Sequence, residues 1–185
     1  DVRVDNAGLS HAAARILDRL PLILEKECVD MVVVQGDTTS AFAAALAAFH
    51  MRIPVAHVEA GLRTYDRFQP FPEEANRAFI SKIADLHFCP TERAAENLHR
   101  EGTSPSSVRV TGNTAVDAVF HALSVVGKRE AAENLAGDRF FPGARMILVT
   151  GHRRENFDGG LNALAHALVE LAEKFHDVVI LYSLH

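Results

Sequence analysis

Val29-Asp30-Met31-Val32-Val33-Val34-Gln35-Gly36-Asp37-Thr38-Thr39, running into the alanine-rich stretch Ser40 to His50, decides the fold. The run Val29 to Val34 is short, β-branched and almost continuously apolar, which suits a strand covered on both faces. Gly36 ends the run, Asp37-Thr38-Thr39 supplies capping chemistry, and a helix ending near His50 follows. Upstream, Ala14, Ile16, Leu17 and Leu20 recur at helical spacing, so Ser10 to Glu25 reads as a helix. Ser10 is its candidate N-cap, and Pro21 predicts a kink or break.

The same rhythm continues downstream. Ile53 to Val58 is the next strand, and Glu59 to Phe71 is a polar connection long enough to suggest a functional loop. Pro72 followed by Glu73 and Glu74 opens a helix to about Ala84, since proline and acids favour a helix's first turn. Leu86 to Cys89 reads as a strand, Thr91 as the cap of a helix to His99, and Val108 to Val110 as another strand. Gly112-Asn113-Thr114 leads into a helix ending near Val126, and Gly127 to Ala144 is irregular and charged. Met146 to Thr150, Gly160 to Phe175 and Val178 to Tyr182 complete a further strand, helix and strand.

This alternation predicts an α/β protein with Rossmann-like parallel sheets and helices on both faces. The irregular stretch after Val110 divides it. Residues 1–112 read as the C-terminal part of one Rossmann-like domain, and 113–185 as a linker and the start of a second.

Composition narrows the function. Nineteen Lys+Arg against 24 Asp+Glu give a net charge of −5, and a mildly acidic chain has no electrostatic reason to bind nucleic acid or an anionic membrane. No apolar run reaches the roughly 20 residues of a membrane span, and the acidic, polar start does not resemble a signal peptide. Two cysteines are too few for a disulfide framework. They read as reduced, buried thiols of a cytoplasmic protein. The start without methionine and the end directly after a strand suggest a piece of a longer protein.

Ligands of open parallel sheets sit beyond the carboxyl ends of the strands, so the polar residues that follow each strand are the candidates. Asp37 is a general base or a helix N-cap; no Gly-Lys-Ser/Thr follows, so the turn is not a Walker loop. Glu59 ends its strand beside His57. Two residues apart, they share a side and could pair or hold a metal, but no third ligand at a suitable spacing is evident, and no metal is expected. Glu73 and Arg77, four apart, share a helix face as an ion pair or as parts of a site. Gly151-His152-Arg153-Arg154-Glu155 is a solvated loop or a clamp for pyrophosphate.

Taken together the motifs resemble one family, the non-hydrolysing UDP-N-acetylglucosamine 2-epimerases. They are Val34-Gln35-Gly36-Asp37-Thr38-Thr39, His57-Val58-Glu59-Ala60-Gly61-Leu62-Arg63-Thr64, Pro70-Phe71-Pro72-Glu73-Glu74-Ala75-Asn76-Arg77, Thr111-Gly112-Asn113-Thr114 and Leu148-Val149-Thr150-Gly151-His152-Arg153-Arg154-Glu155. The resemblance implies a two-domain architecture like that of the GT-B glycosyltransferases, with only the central part present here. It implies reversible inversion at C2, giving UDP-N-acetylmannosamine by loss of UDP to 2-acetamidoglucal and re-addition of UDP. Asp37, Glu59 and Glu73 match the family's catalytic carboxylates, and His152 matches the histidine near the diphosphate. Arg77, Arg63, Arg153 and Asn113 are expected to bind substrate. No cofactor is implied, and the partners are UDP-N-acetylglucosamine and UDP, with a homodimer for the full-length bacterial enzyme and a role in surface polysaccharide synthesis. His185 closes Tyr182-Ser183-Leu184-His185, where the family pattern is Tyr-Pro-Val-His and the histidine of some members serves a regulatory nucleotide-sugar site. Family members also carry a Gly-Thr-Arg-Pro-Glu motif in front and a Ser-Gly-Gly-x-x-Glu-Glu segment behind, so this chain alone is expected to be inactive. Two other readings are a hydrolysing epimerase, which would release free N-acetylmannosamine and UDP, and a nucleotide-sugar-binding module without turnover.

Overall fold

The computed structural model describes residues 8–126, 143–150 and 160–183. It divides into two compact units, 1–117 and 118–185. In the first, α1 (Leu9–Lys26) leads into β1 (Val32–Gln35), α2 (Thr39–His50), β2 (Val55–Val58), α3 (Glu73–Ile83), β3 (Leu86–Cys89), α4 (Glu92–Arg100), a single 3₁₀ turn (Pro105–Ser107) and β4 (Val108–Val110). The four strands are parallel and lie side by side in chain order, β1-β2-β3-β4. Helix α5 (Thr114–Val126) carries the chain across the division. The second unit holds β5 (Arg145–Thr150), α6 (Gly160–Lys174) and β6 (Val178–Ser183), with β5 and β6 parallel in a two-stranded sheet.

The α/β reading holds, and several details differ. Ser10 lies inside α1; the N-cap position is Gly8, which offers no side-chain bond. Pro21 neither breaks nor ends the helix. A proline in a helix interior costs about 3 kcal/mol through the lost hydrogen bond and the clash of its ring with the preceding turn, and burial of Ile16 and Leu24 at about 1.5–3 kcal/mol each offsets it. Thr91 caps α4 as expected, its Oγ1 accepting from the backbone N–H of Ala94 at 3.2 Å. Of the two cysteines, Cys89 is buried and Cys28 is exposed.

Among the described residues, α2, α3 and α4 lie on one face of the four-stranded sheet. Each step β1→β2→β3→β4 moves in the same direction, and right-handed crossovers then put α2, α3 and α4 on the same side. Burial alternates accordingly: Val34 is 5% exposed on the helix side and Val33 63% exposed on the other. The covered side holds a core of Leu24, Val34, Ala45, Ala48, Val55 and Ile80, with a smaller one of Ala60, Cys89, Ala94, Leu98 and Val108 under α4. The alanines of α2 let it lie close against β1 and against α1. In the second unit Arg145 forks onto Asp177, Nε to Oδ2 at 2.5 Å and Nη2 to Oδ1 at 2.9 Å, which fastens the starts of β5 and β6. Among the described residues no helix is long and apolar enough to cross a membrane.

Candidate active site

The carboxyl ends of β1 and β2 are tied together by backbone. Gly36 N–H donates to the Val58 carbonyl at 3.0 Å, and His57 Nε2 donates to the Gly36 carbonyl at 2.9 Å. A carbonyl only accepts, so the imidazole proton sits on Nε2. The turn that follows β1 is capped by Thr38, whose Oγ1 accepts from Ala41 N–H at 3.2 Å. The cap is therefore Thr38 and not Asp37, and the Asp37 carboxylate is free to do something else. Its Oδ2 lies 3.3 Å from Arg77 Nη1, and Asn76 Nδ2 donates to the Asp37 backbone carbonyl at 2.9 Å.

Glu59 follows β2 with a left-handed backbone, φ 68°. Its Oε2 lies 3.6 Å from where a Cβ on Gly36 would stand. The carboxylate thus rests against the turn that carries Asp37. Glu73 is the first residue of α3, one position ahead of the helix's buried face. Neither Glu59 nor Glu73 has a hydrogen-bond or ion-pair partner among the described residues.

The expected pairing of Glu73 with Arg77 is replaced by another. Arg77 binds Glu74, three residues away, through Nε at 2.7 Å and Nη2 at 2.5 Å, both on Oε2. Glu74 also accepts from the backbone N–H groups of Thr64 at 3.1 Å and Tyr65 at 2.9 Å. Burial opposes its charge, yet these two amides and the guanidinium outweigh burial and hold its carboxyl below the usual range. Arg63, expected to bind substrate, is turned into the protein, its side chain only 2% exposed. Nε and Nη2 grip Glu101 in a fork at 2.7 and 2.8 Å, Nη1 donates to the Leu62 carbonyl and Nη2 also to Ser81 Oγ. A guanidinium engaged on every side in this way joins the β2–α3 connection to α3 and the end of α4. Asn113 stands just ahead of α5, where its Oδ1 accepts from Ala115 N–H at 2.9 Å as a capping residue does. His152, Arg153 and His185 lie outside the described residues.

Two histidines sit beneath the site. His57 and His87 are cross-strand neighbours on the helix-covered side of β2 and β3, and both are buried with Nδ1 unpartnered. Burial pushes the His57 pKa down to about 4, against its bond to Gly36, with His87 and Arg63 adding to the decrease. Burial lowers His87 in the same direction. The unfolded chain therefore binds protons that the folded one refuses between pH 6.5 and about 4. Stability is complete above pH 6.5 and falls as the pH drops through that window, with His57 contributing a loss of about 3 kcal/mol by its lower end. Urea midpoints measured from pH 7.5 to 4.5 should fall accordingly, and His57→Gln should flatten the slope. An unchanged slope in that variant would assign the loss elsewhere. Glu74 loses its ion pair only at lower pH, below the ordinary carboxylate range.

Glu74 and Asn76 take part in this network although sequence reasoning passed over them. The available signal was the pair Glu73-Glu74 itself: adjacent helix positions point about 100° apart, so when one acid turns inward, as Glu74 does, its neighbour is held away from the interior.

A family model described as UDP-N-acetylglucosamine 2-epimerase matches residues 1–185. A UDP-N-acetylglucosamine 2-epimerase of Yersinia pestis is 44% identical over 188 residues, covering 100% of this chain and 50% of that protein. One from Escherichia coli is 45% identical over 181 residues, covering 96% of this chain and 48% of that protein. Among solved structures, the Neisseria meningitidis UDP-GlcNAc 2-epimerase bound to UDP-GlcNAc superposes with a TM-score of 0.90 at 38% identity, over 100% of this chain and 50% of that one. The Methanocaldococcus jannaschii UDP-GlcNAc 2-epimerase in complex with UDP-GlcNAc and UDP gives 0.80 at 38% identity, over 97% and 49%. The chain spans about half the length of the curated relatives it matches.

Proposed function

The chain belongs to the UDP-N-acetylglucosamine 2-epimerase family, and from that premise we propose that it carries the acid/base half of a site interconverting UDP-N-acetylglucosamine and UDP-N-acetylmannosamine without net hydrolysis. The C2–H proton goes to a carboxylate. Its electrons form the C1=C2 double bond of 2-acetamidoglucal as the C1–O bond to UDP breaks. Re-addition of UDP at C1, with a proton delivered to the opposite face of C2, completes the inversion. Two faces need more than one acid/base group, and Asp37, Glu59 and Glu73 are assigned to them. His152 and Arg153 are assigned to the departing diphosphate, where positive charge offsets the developing anion. Asn113 and Arg77 complete the set; Arg63 is left out because its guanidinium is engaged by Glu101, Leu62 and Ser81. The reading needs no metal or nicotinamide. It places residues 1–112 in the first Rossmann-like domain of a GT-B-like pair and 113–185 in the linker and start of the second. The whole protein is then a cytoplasmic homodimer supplying a precursor of surface polysaccharide.

One observation carries this reading: Glu59 lies against the Asp37 turn at the carboxyl edge of a parallel sheet, with both it and Glu73 unpartnered among the described residues. The test is incubation of the full-length protein with UDP-N-acetylglucosamine in D2O. UDP-N-acetylmannosamine carrying deuterium at C2 is the expected product, because the proton returned to C2 comes from solvent. Free N-acetylmannosamine with UDP would identify a hydrolysing enzyme, and binding without turnover would identify a sensor. The 185-residue chain alone is expected to give no product.

A further inference from the structure

We propose that Glu74 is a positioning residue of this site, one that aims the Arg77 guanidinium at Asp37 and fastens the connection after β2 to the start of α3; the inference rests on the reading of Asp37 as an acid/base group. Glu74 is 4% exposed, too enclosed to touch a substrate. Its Oε2 receives Thr64 N–H together with Nε and Nη2 of Arg77, and its Oε1 receives Tyr65 N–H. A guanidinium is planar and rigid, so fixing Nε and Nη2 fixes the direction of the remaining nitrogen. That nitrogen, Nη1, is the one that meets Asp37 Oδ2 at 3.3 Å. Asn76 holds the Asp37 backbone from the same helix. One turn of α3 therefore sets both the main chain and the charge partner of Asp37. The same carboxylate closes onto Thr64 and Tyr65, so the placement of Arg77 and the path of the loop depend on one group.

Charge alone does not explain the arrangement; reach matters as well. Glu74→Gln leaves one acceptor oxygen for four donors and sets an amide N–H2 against them. Glu74→Asp keeps the charge but is one methylene too short to hold Thr64, Tyr65 and Arg77 at once. In the full-length enzyme, Glu74→Gln is expected to lower kcat about 50-fold with KM within about threefold, and Glu74→Asp is expected to recover little of that loss. In an Arg77→Ala background, Glu74→Gln should lower kcat less than about twofold further, because its effect runs through Arg77. Arg77→Lys keeps the buried positive charge without the fork and should lose kcat to a similar degree; it carries the kinetic test if Glu74→Gln does not fold. The Arg77 Nε–H proton signal in NMR spectra reads the positioning without turnover: it should be protected in the wild type and in Asp37→Asn, and lost in Glu74→Asp. Wild-type kcat in Glu74→Asp or Arg77→Lys, multiplicative losses in the double variant, or a protected Nε–H in Glu74→Asp would each overturn the inference. A wild type that makes no UDP-N-acetylmannosamine while its Nε–H protection still depends on Glu74 would instead sink the functional reading and leave the positioning intact.

Discussion

Gly61→Ala should lower the urea midpoint steeply, by the equivalent of about 4 kcal/mol or more. Gly61 has φ +84°, and a Cβ there would stand 2.2 Å from the Ala94 carbonyl oxygen, 2.7 Å from the Ala94 carbonyl carbon and 3.2 Å from Leu98 Cγ. The obstacle is helix backbone, which cannot rotate away as a side chain can. The glycine cannot retreat either, since Asn97 Nδ2 donates to its carbonyl at 3.0 Å from the same helix. Relief requires α4 to lift off the core of Ala60, Cys89, Ala94, Leu98 and Val108. The left-handed backbone costs an L-residue roughly 1–2 kcal/mol, and the overlap adds more than the usual 1–3 kcal/mol of overpacking. A total of about 4 kcal/mol or more is a large share of the stability of a domain holding 5–15 kcal/mol. Gly102→Ala is the control: its φ is +88° and nothing lies within 4 Å of the added carbon. It should cost only the backbone contribution. Urea denaturation of the two variants separates the effects, and equal midpoints would show that α4 yields to the methyl without cost.

The site was legible in the sequence as far as elements and residue types go. A β-branched run, a Gly-Asp turn and an alanine-rich helix were enough to place Asp37 beyond the carboxyl end of a strand, and a Pro-Glu-Glu start placed Glu73 at the head of α3. Pairing within the site was not legible. Helical spacing allows Arg77 to meet an acid either three or four positions back, and which one it meets depends on where the loop before α3 offers amides. Thr64 and Tyr65 present theirs to Glu74, which draws that acid inward and leaves Glu73 outside. Arg63 misled for a related reason. A cation in a strand-end motif reads as a ligand group until its fold-mate is known, and Glu101 is 38 residues away.

The remaining prediction separates chemistry from architecture. Glu59→Gln and Asp37→Asn are expected to lower kcat of the full-length enzyme by about a thousandfold or more, since general acid/base groups contribute 10²–10⁴-fold and two acts of proton transfer are needed per turnover. Each exchange preserves shape, so the fold should tolerate it. Glu59 has no partner among the described residues to lose, and its amide would occupy the same space beside Gly36. Asp37 gives up one ion pair with Arg77, but its side chain is 27% exposed and Arg77 keeps Glu74. A cost of about 1 kcal/mol or less is expected there. These positions thus oppose Gly61, where stability falls sharply with no acid or base touched. Measured together, the urea midpoint and the rate of deuterium entry at C2 distinguish the two kinds of residue. A Glu59→Gln enzyme that epimerises within tenfold of the wild type would remove Glu59 from the proton path. Glu73 would then have to serve C2, and Glu73→Gln would become the variant that abolishes exchange.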